Sequence, residues 1–377
     1  MDTNNADISK LNCLIFGGGN GWGKCIAESF TSIKAKTIII EIDSTEQEII
    51  SGIQASDIIF IAIPYSEIDA LIKNYGDQFH GKILLDCATN KTGFSKALHN
   101  LAENGMSVCS THPMAASSGV LRGQNCLIMP IGEQSTYAQN IAVQLYQKLG
   151  MHCELFDFNK HTEAMAILQM LPHLMQRLTI DVLGQGLLEY EIKIDSLANL
   201  ASANYLLAEL GLGRVAAQRA DVSAGIIATA LHEPFGQQLL ERLQTSLQNI
   251  KRASNSRTAL TTIFTDSMQQ LDPEGDWRLQ MADKTEAALI RLGNLRSRFL
   301  TIQAPNRIGM LRDILSVLAK HRIDMTALDS QRILEADGIE MVNFDIAISN
   351  EHIPYTALVA ELAPIDARFI NYSGINN

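Results

Sequence analysis

A chain of 377 residues exceeds one typical domain and predicts two or three. Apolar residues at 46% and charged residues at 19% fit a globular protein with a large core. The net charge of −11, without any basic run, argues against nucleic acid as a partner, because neutralising phosphates needs clustered Lys and Arg. Six cysteines, at 13, 25, 87, 109, 126 and 153, lie in the first half and form no Cys-x-x-Cys pair. They read as buried, reduced thiols of a cytosolic protein. The start, Met1 to Asp7, has neither a basic n-region nor an apolar h-region, and no apolar run is long enough to span a bilayer. A cytoplasmic protein with no membrane partner is the expectation.

The first predicted strand, Leu11 to Phe16, runs into Gly17-Gly18-Gly19-Asn20-Gly21-Trp22-Gly23. An amphipathic helix follows, then a second apolar strand that ends on Glu41. A helix behind such a turn aims free N–H groups and its positive dipole end at one spot, which suits a pyrophosphate. The carboxylate at Glu41 falls where a dinucleotide's ribose hydroxyls are held, and it favours NAD over NADP because it repels a 2′-phosphate. In the register Gly18-x-Asn20-x-x-Gly23 the middle glycine is replaced by Asn, so a side chain is expected where phosphates approach.

Strands and helices continue to alternate. Asp57 to Ile63 is a continuous apolar run ending at Pro64, as in a strand buried on both faces. Ser66 to Tyr75 is helical in pattern, and Lys82 to Asp86 is another buried strand before the turn Thr89 to Gly93. A helix to Asn104, strands at Ser107–Ser110, Cys126–Pro130 and Cys153–Phe156, and a helix at Ser135–Leu149 complete the pattern. Repeated βα units predict a Rossmann-like, doubly wound, mostly parallel sheet over residues 1–158. Ligands in such sheets bind at the carboxyl ends of the strands, here Ile63-Pro64, Asp86 to Lys91 and Ser110 to Met114.

Residues 159–296 show helical periodicity and predict an all-α domain large enough to close over a cleft and to build a dimer interface, with helices such as Glu163–Leu183 and Asp195–Gln218. Residues 297–377 follow the order βαββαβ, a ferredoxin-like unit with a turn at Ala336-Asp337-Gly338. No metal-ligand spacing is present, and hydride transfer to NAD needs none.

Two motifs carry a resemblance. Ser110-Thr111-His112-Pro113-Met114 follows a buried strand, and Asp86-Cys87-Ala88-Thr89-Asn90-Lys91 lies one strand earlier. With the glycine-rich turn they resemble the prephenate dehydrogenase family, whose His-Pro-Met/Ile and Asp-x-x-Ser-Val-Lys motifs they match, with Thr89 for Ser and Asn90 for Val. His161-Thr162 resembles the family's His-Asp at the start of the first helix of the helical domain, with Thr162 departing. Gln169 to His173 matches a substrate-side turn, and Gly213-Arg214 matches a Gly/Thr-Arg pair. A second cation that some members carry is Leu206 here. Asn306-Arg307-Ile308-Gly309-Met310-Leu311 resembles the signature of an ACT regulatory domain.

The resemblance implies oxidative decarboxylation of prephenate with NAD, in a homodimer regulated by L-tyrosine. His112, a neutral imidazole suited to accepting a proton near pH 7, is the expected base. Thr89 is expected to bridge that imidazole and the substrate hydroxyl. Arg214 is expected to hold a carboxylate bidentately. Gly211 and Gly213 beside it suggest a close approach. Gln169 and His173, four residues apart on one helix, are expected to face the same pocket. The effector is expected near Asn306, Ile308, Gly309 and Met310. Arogenate is the alternative substrate, because its side-chain ammonium suits a carboxylate or a neutral group. A non-catalytic, amino-acid-responsive NAD-binding regulator is a more distant alternative.

Overall fold

The computed structural model describes residues 8–117, 121–194, 202–295, 298–334, 340–350 and 352–373. In chain order the first elements are β1 (Cys13–Phe16), α1 (Gly21–Ser32), β2 (Thr37–Ile40), α2 (Glu46–Ala55), β3 (Ile58–Ile61), α3 (Tyr65–Tyr75), β4 (Ile83–Asp86) and α4 (Ser95–Glu103). They continue as β5 (Ser107–Pro113), β6 (Asn125–Ile131), α5 (Thr136–Lys148), β7 (His152–Leu155) and α6 (His161–Met165). A π-helical turn, Ala166–Met170, leads into α7 (Leu171–Glu189), α8 (Ala203–Ala217), α9 (Ala220–Leu231), α10 (Pro234–Ala253), α11 (Arg257–Leu271) and α12 (Asp276–Leu295). The last part is β8 (Arg298–Pro305), α13 (Met310–Lys320), β9 (Met325–Leu334), β10 (Glu340–Ile348), α14 (Tyr355–Leu362) and β11 (Arg368–Ser373). The expected turn at 336–338 and the start of the expected helix at 195 lie outside the described residues. No helix among the described residues is long and apolar enough to cross a membrane.

The chain divides into two compact units, residues 1–179 with 218–245, and residues 180–217 with 246–377. The first unit contains a seven-stranded sheet in the order β2-β1-β3-β4-β5-β6-β7. Strands β2, β1, β3, β4 and β5 pair in parallel, each helical crossover returning the chain to the same end of the strands. Pairing between β5 and β6 is antiparallel, and among the described residues no helix lies between them. Alternation of period two sends Cys13, Ile15, Ile58, Phe60 and Leu85 into one core and Leu14, Phe16, Ile59, Ile61 and Leu84 into the other. Both faces are thus covered, which explains why these strands read as unbroken apolar runs.

Strand β5 runs three residues past the expected Ser110, because its antiparallel partner pairs Thr111 with Ile128, His112 with Leu127 and Pro113 with Cys126. His112 therefore stands inside the sheet rather than on a loop beyond it.

In the second unit β8, α13, β9, β10, α14 and β11 form a four-stranded antiparallel sheet ordered β11-β8-β10-β9. This is the ferredoxin-like arrangement that the βαββαβ order implied. Met310, Ile314 and Leu318, one helical turn apart, pack on Val342, Phe344 and Ile346 from alternate positions of β10.

Candidate active site

The glycine-rich turn is shaped by main-chain contact. Gly17 has φ +81, and a Cβ there would lie 2.7 Å from the Ala62 carbonyl oxygen on the neighbouring strand end. At Gly23 a Cβ would fall 1.9 Å from the Gly17 carbonyl oxygen, so the turn and the first turn of α1 touch backbone to backbone. Asn20 is the N-cap of α1 with φ −141 and ψ 167, an extended conformation open to any residue. The Asn departure therefore introduces no backbone strain. Its side chain makes no capping bond, and the first turn of α1 carries no acidic residue. The leading N–H groups of that helix are left for an anion. At the end of β2, the Glu41 carboxylate accepts a hydrogen bond from the Gly19 N–H at 2.5 Å. Gly17, Asn20, Gly21, Trp22, Glu41, Ile63 and Pro64 all line one cleft of about 980 Å³. Gly18 packs against Ile39 on β2, and Gly19 against Glu41. The donors, the close approach and the carboxylate fit a dinucleotide.

A second cleft, of about 430 Å³, adjoins the first and shares Ile63 and Ala88 with it. Thr89, Lys91, His161 and Gln169 line it from one side, and Asp221, Val222, Gly225 and Ile226 of α9 from the other. His112 lies one side chain behind this wall. It is 1% exposed, with Nδ1 3.0 Å from His161 Nε2 and Nε2 3.5 Å from Gln169 Nε2. The two imidazoles meet edge to face at 5.1 Å between centroids.

Beneath the pair sits a buried ion pair. Lys91 Nζ donates to Asp86 Oδ1 at 2.5 Å and to the Thr111 carbonyl at 2.9 Å. Thr111 Oγ1 donates to the Asp86 carbonyl and accepts from the Tyr146 hydroxyl at 2.8 Å, tying β4, β5 and α5 together directly below His112. Burial, then the Lys91 cation, then His161, hold His112 well below the usual imidazole range. Burial and Lys91 push His161 down to about 3. Both rings are neutral at pH 7.

The helical segment departs from expectation. Pro172 has no N–H to give back to the preceding turn, and the chain answers with the π-turn at Ala166–Met170. Gln169 and His173 consequently part company. Gln169 reaches the cleft wall and His112, whereas His173 Nδ1 lies 3.4 Å from Ser223 Oγ on α9, which also accepts from Arg177. Thr89 lines the cleft, and the partner of His112 Nδ1 is His161. Arg214 lies on α8 in the second unit. Among the described residues, a Cβ at Gly213 would meet no protein atom within 4 Å. In the C-terminal unit Gly309 has φ +88 as the N-cap of α13, Asn306 Nδ2 donates to Glu340, and Ile308 is fully exposed. Met310 is buried in the core and its N–H is bonded to the Arg307 carbonyl, so its side chain is not offered to a ligand. Lys91, His161 and Asp221 are among the lining residues to which the sequence assigned no role. The His161-Thr162 motif at the start of α6 is the signal in the sequence that marks His161.

Comparison with known proteins agrees with this geometry. A family model described as prephenate dehydrogenase, nucleotide-binding domain, matches residues 25–149. A probable arogenate/prephenate dehydrogenase of Methanocaldococcus jannaschii is 24% identical over 335 residues, covering 81% of this chain and 73% of the relative. Among solved structures, a candidate prephenate dehydrogenase of Corynebacterium glutamicum superposes with a TM-score of 0.54 at 16% identity, over 75% of this chain and 91% of its own. Synechocystis arogenate dehydrogenase does so with a TM-score of 0.50 at 17% identity, over 74% and 99%. The span matched by the nucleotide-binding domain model takes in Glu41, Thr89 and His112.

Proposed function

We propose that this chain is an NAD-dependent prephenate dehydrogenase, oxidising the ring carbinol as the ring carboxylate leaves. The observation that carries the reading is the shared wall: Ile63 and Ala88 border both the nucleotide cleft and the cleft backed by His112. NAD, when bound, accepts the hydride. His112 Nε2 takes the carbinol proton, its neutral state at pH 7 leaving it free to do so. The 3.5 Å contact from Gln169 is long, so a substrate hydroxyl displaces it at little cost. Thr89 offers its hydroxyl from the same wall. The only formal cation lining the cleft among the described residues, Lys91, is committed to Asp86 and Thr111, so Arg214 is proposed to supply the charge for a substrate carboxylate. Homodimerisation through the helices and an ACT-type response to L-tyrosine by the βαββαβ unit belong to the same reading.

Arogenate is the second reading, favoured by Asp221, a carboxylate in the cleft wall that suits a side-chain ammonium. The test is NADH formation by the purified chain with NAD and each substrate, with and without L-tyrosine. Turnover of one or both, slowed by tyrosine, is expected. His112→Asn should cut it roughly 10²- to 10⁴-fold with nucleotide binding intact. No NADH from either substrate, or an undiminished His112→Asn variant, overturns the proposal.

A further inference from the structure

The structure gives the expected base an unexpected neighbour. An imidazole that accepts a proton must present a bare nitrogen, and its other nitrogen must carry the hydrogen. In many sites a carboxylate enforces that tautomer. Here the group at His112 Nδ1 is a second imidazole, His161 Nε2, at 3.0 Å. Gln169 presents an amide N–H to His112 Nε2, so the lone pair is on Nε2 and the hydrogen is on Nδ1, donated to His161. The proton of His161 then sits on its own Nδ1. That atom is buried and has no hydrogen-bond partner among the described residues. A histidine kept only for packing would not be held with a buried N–H unsatisfied.

We propose that His161 is a positioning residue for the base: it accepts the Nδ1–H of His112 and so keeps His112 Nε2 bare toward the cleft. When the carbinol O–H bond breaks, its proton forms the Nε2–H bond of His112, while Nδ1–H stays shared with His161. The proposal rests on His112 being the base.

Choice of a neutral orienting group has a consequence for pH. The groups facing His112 are His161 from α6 and Lys91 from the segment after β4, with Asp86 engaged by that lysine. The thiols of Cys109 and Cys126 and the Tyr146 phenol, on the adjoining β5, β6 and α5, are held neutral by burial. Among the described residues nothing anionic adjoins the ring itself to stabilise its protonated form, so the base stays unprotonated below pH 6.5 and activity persists there.

The first test is nitrogen NMR of the full chain labelled with ¹⁵N-histidine. His112 should show a protonated Nδ1 and a bare Nε2 at neutral pH, and His161→Leu should erase that preference. In turnover, His161→Leu should lose about a hundredfold. His161→Asn, whose amide oxygen accepts the same Nδ1–H, should restore most of it. His161→Asp should move the acid limb of kcat/KM upward, because a carboxylate stabilises the imidazolium. A wild-type His112 protonated on Nε2, a His161→Leu variant with an unchanged tautomer, or an unmoved acid limb in a turning-over His161→Asp variant overturns the proposal. If the wild type turns over neither substrate, the functional reading fails and the NMR arm alone decides the role of His161.

Discussion

The two clefts of the first unit share a wall but are built by opposite means. In the nucleotide cleft the decisive contacts are made on the main chain: Gly17 against the Ala62 carbonyl, Gly23 against the Gly17 carbonyl, and the Glu41 side chain on the Gly19 N–H. Around His112 they are side chain on side chain: Lys91 on Asp86, His161 on His112, and Gln169 on His112. A backbone site fails by steric intrusion, because there is nowhere for an added atom to go. A side-chain site fails by losing a partner, because burial makes an unpaired charge or N–H costly. The same mutation size therefore has different consequences on the two sides of Ile63.

The sharpest test of that contrast is Gly23→Val. Its branched side chain must start 1.9 Å from the Gly17 carbonyl oxygen, so either α1 moves or the turn opens. Loss of measurable NAD binding is expected, together with a lowered melting temperature, by calorimetry with and without nucleotide. Wild-type nucleotide affinity in this variant would mean that the turn is not a rigid main-chain contact.

On the other side of the wall, Lys91→Met keeps the volume of the side chain and removes its charge. Asp86 and Lys91 are 1% and 2% exposed, so solvent does not screen the loss. Leaving the Asp86 carboxylate unpaired should cost about 3–5 kcal/mol in urea unfolding, and Asp86→Asn in the same chain should recover much of it. Additive losses from the two substitutions would show that the pair is not an interacting unit.

The same contrast explains what the sequence disclosed. Gly17 to Gly23, the apolar runs at β1, β3 and β4, and Glu41 lie within one short stretch, and their physics is local: φ angles, alternation, a helix dipole. That side of the molecule was readable almost to the residue, apart from Asn20, whose place as the extended N-cap of α1 the sequence did not give. The second cleft gathers residues 86–91, 112, 161–169 and 221–230, and nothing in one segment specifies its neighbour. His112 and Thr89 were found through motifs, but the place of His161 at Nδ1 depends on where α6 docks. Gln169 and His173 were joined by an i, i+4 rule that assumes an unbroken α-helix, and the π-turn before Pro172 breaks that rule. Met310 was read as a ligand contact, whereas the amphipathic period of α13 turns it inward.

Glu41 is the point where the two kinds of site overlap, since a side chain there serves a main-chain cradle. Its carboxylate already accepts from the Gly19 N–H, so a ribose hydroxyl would meet an oriented acceptor rather than a free rotor. Glu41→Ala removes that acceptor and the negative charge but leaves every glycine contact in place. The cradle should still bind, with affinity for NAD weaker by about tenfold, or about 1.4 kcal/mol. Affinity for NADP should fall less or rise, because the charge that repels a 2′-phosphate is gone. Trp22 lines the cleft, so its fluorescence can follow both titrations. If NAD and NADP affinities change in the same proportion, Glu41 is holding the loop and not reading the ribose, and cofactor choice must be made by another residue of the cleft.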